Sequence, residues 1–103
     1  MDYRLLHEPT PYEEEIIQLL GGEKHRELCR IIISNAQEYG FVRKQDLETH
    51  KGYTRYDITK SFNHLRDNDI IKEAYRSRYP KGTLKGYELR HVNRPCTLLF
   101  EGD

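Results

Sequence analysis

The segment from residue 54 to residue 68 carries the side chains best suited to binding a ligand. If it forms a helix, one side of it presents a mixed polar and aromatic set: Arg55, Tyr56, Thr59, Lys60 and Asn63. Arginine pairs with guanine edges and asparagine with adenine edges, while the other types hydrogen-bond to phosphates or bases. The segment therefore indicates a surface that binds nucleic acid through hydrogen bonds and charge.

A second set of basic side chains lies between residues 71 and 90. Only Glu73 and Glu88 oppose six Lys or Arg residues there, which leaves a local balance of +4. Because phosphates attract such a segment whatever the base sequence, it can lie along a backbone or enter a minor groove; the alternative for its tip is a solvated turn with no such contact. The binding residues assigned outside the helix are Arg43, Lys44, Arg76, Arg78, Lys81 and Lys85.

Residues that could catalyse a reaction or hold a metal form no comparable pattern. His25 and Cys29 stand four apart, which is half of a zinc-site spacing, but no second pair follows at ligand spacing. We expect Cys29 to be a small core residue, and the sequence leaves open whether it pairs with Cys96. We expect no metal, cofactor or small-molecule ligand, and no enzyme activity, since no nucleophile motif or phosphate loop occurs.

Apolar periodicity predicts the helix that must position the first set. Ile58, Phe62 and Leu65 follow one another at spacings of four and three, as on one face of a helix. Thr54 is expected to cap its N-terminus, with Asp57 completing a capping box. If the apolar face points to the core, the polar set must face outward.

Two further helices are predicted before this one. The first follows Thr10, a candidate N-cap, begins at Pro11 and ends at Gly21-Gly22. The second spans 23–39, where apolar residues recur at spacings of three and four, and Gly40 ends it. Next come a minimal strand at residues 41–42 and a segment, residues 43–50, with Leu47 as its apolar residue.

A β-hairpin is predicted after the last helix. Alternation places Ile71, Tyr75 and Tyr79 on one face of a strand, and Tyr87 and Leu89 on one face of its partner. Turn residues separate the two strands. We interpret the tyrosines as hairpin packing rather than as platforms for stacked bases.

In chain order the elements are helix, helix, minimal strand, helix, turn, helix and hairpin. Residues 41–73 resemble the winged helix-turn-helix superfamily of DNA-binding regulators. The residues that carry the resemblance are Leu47, Lys51-Gly52, Thr54 to Ile58, Phe62, Leu65 and Ile70-Ile71; one departure is Glu48, where many members have a small apolar residue.

The resemblance implies an α+β fold, with a three-helix core, a β-hairpin wing and an extra N-terminal helix. It also implies that helix 54–68 reads the major groove and that wing 71–90 contacts the backbone or minor groove. A length of 103 residues fits one domain. We divide it into an accessory helix (11–22), a winged-helix core (23–92) and a tail (93–103), whose role stays open.

Charge is unevenly distributed along the chain although the net charge is zero. Residues 1–42 carry four basic and eight acidic side chains, residues 43–90 carry twelve and seven, and residues 91–103 carry one and two. A basic middle between acidic ends indicates a partner on one face. No apolar run reaches the ~18 residues of a membrane span, and no secretory signal is visible, so we expect a cytoplasmic protein without membrane contact.

The expected function is sequence-specific binding to double-stranded DNA, as in transcription regulation. Because DNA half-sites usually demand two copies, we expect a homodimer, with the first helix and residues 96–100 as candidate contacts. The alternative is a winged-helix adaptor that contacts other proteins in a transcription or replication assembly, which the zero net charge favours. RNA binding has no distinguishing motif in this sequence.

Overall fold

The computed structural model describes residues 8–48, 52–77 and 81–90. In this part the chain forms an α+β fold whose element order is compatible with the winged-helix layout. Its elements are the helices α1 (Pro11–Gln18), α2 (Glu23–Tyr39), α3 (Lys44–Leu47) and α4 (Arg55–Asp67) and the antiparallel strands β1 (Ile71–Ser77) and β2 (Thr83–Leu89). Among these helices none is long and apolar enough to cross a membrane.

Threonine caps set the starts of α1 and α4. The amide of Glu13 donates to Thr10 Oγ1 over 3.1 Å, and the Thr10 amide donates to Glu13 Oε1 over 2.9 Å. Thr54 and Asp57 repeat this reciprocal pair at the start of α4, with distances of 3.1 and 2.9 Å. The predicted cap at Thr10 and the predicted box at Thr54 are therefore confirmed, and each such cap stabilises a helix by about 1 kcal/mol.

Helix α2 is the central element, and its predicted bounds are confirmed. Gly40 ends it in the left-handed conformation at φ 76°, where its amide donates to Ala36 O over 2.9 Å. Residues 31–36 are all buried, and α2 packs against α1, α4 and β2. A helix enclosed on several sides in this way gives the other elements a common support.

The core lies between α2, α4 and the hairpin. Ile58, Phe62 and Leu65 are all almost fully buried, which confirms the predicted inner face of α4. The Phe62 ring packs on the Tyr87 ring of β2, with 4.9 Å between their centroids. Burying one side chain of this kind stabilises the fold by roughly 1.5–3 kcal/mol.

The predicted minimal strand is a single bridge to the hairpin. Val42 and Tyr87 exchange two backbone hydrogen bonds of 2.9 and 2.8 Å. The preceding Phe41 ring lies against Gly86, where any side chain would collide with it. A side chain at this position would require the Phe41 ring or the strand to shift.

Helix α1 is attached to α2 by apolar contacts and by one arginine. Ile17 is fully buried, and Arg30 on α2 makes two hydrogen bonds to the Glu14 carboxylate, of 2.7 and 3.2 Å. The guanidinium hydrogen bond is the main cause that lowers the pKa of Glu14. Arg30 also forms ion pairs with Glu23 and Glu27, so one guanidinium contacts three carboxylates.

Three boundaries differ from the sequence predictions. Helix α1 ends at Gln18, before the predicted Gly21-Gly22 stop. The amides of residues 19 and 20 donate to the carbonyl oxygens three residues before them, which makes a tight turn in place of a further α-helical turn. Helix α3 is a single turn rather than the predicted segment 43–50; Glu48 is already in a turn, and residues 49–51 lie outside the described part.

The packing predicted for Tyr75 is wrong. Tyr75 pairs with Lys85 and is 58% exposed, whereas Tyr87, on the same face but two residue pairs closer to the core, is buried. The helices therefore pack on this face of the hairpin as far as Tyr87 and do not extend over Tyr75. Tyr87 and Leu89, predicted to share one face, are both buried, which confirms the predicted packing of Tyr87; Tyr79 lies outside the described residues.

Replacing Gly86 with alanine should weaken the hairpin. The new Cβ would lie 2.5 Å from Phe41 Cζ, so the ring or the strand must shift, and we expect a loss of about 1–3 kcal/mol in the free energy of unfolding. Urea denaturation measures this loss. Gly21→Ala is the matched control because no atom lies within 4 Å of its Cβ position; equal effects in the two variants would contradict the role of Phe41.

Candidate nucleic-acid interface

The outer face of α4 presents the five residues that the sequence placed there. The Arg55 side chain is 82% exposed and Tyr56 is 67% exposed. Thr59, Lys60 and Asn63 are half-buried. The predicted outward orientation is confirmed for Arg55 and Tyr56, at the N-terminal end of α4, and only in part for the other three residues.

The first turn of α4 is held by a carboxylate with several partners. Asp57 accepts from the Thr54 amide, from His25 Nε2 at 2.9 Å, and forms an ion pair with Lys24 Nζ at 3.1 Å. The backbone hydrogen bond from Thr54, followed by the His25 contact, lowers the pKa of Asp57 well below its usual range. Asp57 is therefore ionised, and it ties the start of α4 to α2.

Tyr56 lies between an aromatic ring and a cation. Its ring meets the His25 ring edge-on, with 6.3 Å between centroids and 73° between planes. Lys60, one turn further along α4, places Nζ 5.8 Å from the centroid of the Tyr56 ring. Such contacts restrict where the phenol ring points without burying it.

A groove of about 390 Å³ separates α3 from α4. Arg55 and Glu48 face each other across it, with 3.5 Å between Nε and Oε2. The remaining lining residues are Lys44, Gln45, Ile58 and Thr59. Arg55 is thus loosely paired with an exposed carboxylate, which a phosphate or a base edge can replace at small cost in water.

The residues predicted around α3 have partners within the fold. Arg43 directs its guanidinium to Asp46 on the next turn, with 2.8 Å between Nη2 and Oδ1. Lys44 lies over the Tyr87 ring, with Nζ 5.9 Å from its centroid. Lys44 lines the groove, whereas the charge of Arg43 is balanced locally by Asp46.

The basic residues of the hairpin are divided between its two faces. Lys85 is exposed beside Tyr75, on the face that continues outward from buried Tyr87. Arg76 lies on the opposite face, where its guanidinium is 4.8 Å from the Phe41 ring centroid and donates to Gly40 O and Glu88 Oε1 over 3.1 and 3.2 Å. The structure therefore does not bring Arg76 together with Lys85. Lys81 is exposed, and Arg78 lies outside the described residues.

Two residues in this region were missed by the sequence analysis. Tyr75 was assigned to packing, yet it is exposed next to Lys85. His25 was considered only as a partner of Cys29, yet its ring contacts Asp57 and Tyr56, about thirty positions along the chain. Local spacing carries no signal for contacts of that kind, although the predicted capping box did mark Asp57.

The predicted core role of Cys29 is confirmed. Its thiol is fully buried and lies 3.9 Å from Ser61 O, and burial raises its pKa to about 12. A thiol that stays protonated is a poor nucleophile and metal ligand. Within the ranges that the structure describes, no three His, Cys, Asp or Glu side chains are grouped so that they could hold a metal ion.

The fold and site together define an α+β chain with an exposed polar helix face beside a basic hairpin. Comparisons with models of protein families, with curated proteins and with solved structures found no match. The function is therefore inferred from the residues and contacts described above.

The Asp57 contacts predict an acid-dependent loss of stability. Folding lowers the pKa of Asp57, so the ionised carboxylate stabilises the folded chain. This stabilisation is fully present above the pKa of Asp in the unfolded chain, about 3.9, and is lost as the pH falls through and below that pKa. We expect Asp57→Asn to be less stable than the parent chain at pH 6, with the difference shrinking towards pH 3. Urea denaturation across this range checks it, and a constant difference would contradict the assignment.

Proposed function

We propose that this chain is a winged helix-turn-helix protein that binds double-stranded DNA and regulates transcription. The proposal is supported above all by α4, which buries Ile58, Phe62 and Leu65 on one side and leaves Arg55 and Tyr56 exposed on the other. In this proposal α4 enters the major groove, while β1 and β2 contact the backbone or the minor groove.

The dimensions of α4 suit a major groove. Its 13 residues make a helix about 20 Å long, and the groove is about 12 Å wide, which admits one helix with its side chains. Recognition helices of this type contact bases mainly through their N-terminal residues. The most exposed side chains of α4 stand at that end.

Charge in the hairpin supports a contact with phosphates. Lys81 and Lys85 are exposed, and Lys85 has only a 3.5 Å ion pair with Glu73 on the neighbouring strand. Exposed pairs of this kind are weak, so phosphate can compete for the lysine. In our proposal Tyr75 joins Lys85 on this face, where its phenol can pack on the sugar-phosphate backbone.

We further propose that two copies bind DNA as a homodimer. Tyr12 in the first turn of α1 and Leu19, the C-cap residue directly after α1, are both exposed, and their separation of seven residues places them on about the same side. This outer side of α1 is a candidate contact between copies. Measuring solution mass by light scattering tests the dimer.

The same surface favours the second candidate function, a protein-interaction adaptor. Residues 8–22 contain four Glu and no Lys or Arg, and two of these carboxylates, Glu8 and Glu15, are exposed near Tyr12 and Leu19, so this part of the surface is both acidic and apolar. Such a surface suits a basic protein partner better than DNA. In this alternative α4 and the hairpin also contact protein.

A selection from random-sequence duplexes, followed by salt titration, separates the two functions. For DNA binding we expect enrichment of a motif and a log-linear fall in affinity with salt, with a slope set by the number of phosphate contacts. Failure to bind any duplex at low salt would overturn the proposal and favour the adaptor.

Arg55→Ala and Lys60→Ala should weaken binding to the selected duplex without unfolding the chain. We expect Arg55→Ala to cost about 1–3 kcal/mol if the guanidinium reads a base. Arg66→Ala is the matched control, because it removes an exposed arginine from the last turn of the same helix. Equal affinity of Arg55→Ala, Lys60→Ala and the parent chain for that duplex would contradict the assignment of α4.

A further inference from the structure

Two residues in the N-terminal turn of α2 contact the first turn of α4. His25 and Lys24 both contact Asp57, whose side chain is only 9% exposed. Asp57 in turn accepts a hydrogen bond from the Thr54 amide and completes the cap of α4. A substitution at His25 therefore acts directly on the position of the first turn of α4.

His25 also contacts the residue that the proposed function places nearest to DNA. The edge-on contact with Tyr56 uses the ring of His25, whereas the contact with Asp57 uses its Nε2 atom. Ser61, one turn further along α4, donates its hydroxyl to the His25 carbonyl over 3.4 Å. His25 is thus held at its backbone, at its ring nitrogen and along its ring edge, all by α4.

We propose that His25 is a positioning residue that fixes the Tyr56 ring for discrimination between base sequences. This inference rests on the proposed function. A fixed aromatic ring can fit one arrangement of base edges and methyl groups, while a mobile ring adapts to many. His25 therefore governs the ratio of affinities for selected and unrelated duplexes, and phosphate contacts govern the affinity common to both.

A double-substitution cycle tests the coupling between the two rings. His25→Gln keeps a side-chain N–H of similar reach towards Asp57 but removes the ring, and Tyr56→Ala removes its partner. The probes are the duplex enriched from a random library and a shuffled duplex of the same composition. We expect His25→Gln to lower the affinity ratio about fivefold when Tyr56 is present and to leave it unchanged in Tyr56→Ala.

Lys24→Gln is the control for the loss of a side-chain contact with the Asp57 carboxylate. It removes a contact with the same carboxylate but does not change the His25 ring. We expect affinity for both duplexes to change by the same factor, so that the ratio stays constant. Urea denaturation of each variant shows whether any change reflects unfolding.

Ring order in the free protein gives a readout that does not need DNA. Three-bond NMR couplings should show one χ1 rotamer for Tyr56 in the parent chain and averaged rotamers in His25→Gln. Averaged χ1 rotamers of Tyr56 in the parent chain would overturn the inference. So would a result in which His25→Gln lowers the affinity ratio by the same factor whether residue 56 is tyrosine or alanine. If the parent chain binds no duplex selectively, the proposed DNA-binding function is refuted, and the inferred role of His25 in DNA recognition is refuted as well.

Discussion

The contact between Phe62 of α4 and Tyr87 of β2 fixes the relative position of the two elements that carry the exposed site. Both rings are buried, 4.9 Å apart, and Val42 adds two backbone hydrogen bonds to Tyr87. Because Phe62 occupies the inner side of α4, the residues on the outer side of this helix have a defined direction. Tyr87 likewise anchors the strand that carries Lys85, two residues away on the same face. The candidate interface is thus a consequence of how the core is packed.

Charge complements this packing by fixing helix ends. Arg30 joins α1 to α2 through Glu14, and Asp57 joins α4 to α2 through His25 and Lys24. Both carboxylates have lowered pKa values because cations or hydrogen-bond donors surround them. Glu14 and Asp57 therefore hold helices together, whereas the exposed cations Arg55 and Lys85 make only long, exposed ion pairs of 3.5 Å.

The sequence predicts those elements whose signals are local. The bounds of α2 follow from apolar periodicity and Gly40, and the start of α4 follows from the spacing of Thr54 and Asp57. The exposure of Tyr75 could not be predicted, since it depends on where the helices stop covering a strand face. The His25 contacts could not be predicted either, because they join residues that are distant along the chain.

The most direct test of the account is an NMR titration of the labelled chain with its selected duplex. We predict that amide shifts change most at the exposed start of α4, around Arg55 and Tyr56, and on the face of the hairpin that carries Lys85. We predict little change on the outer side of α1 at a fixed oligomeric state. Changes concentrated on α1, with the outer face of α4 unaffected, would contradict it.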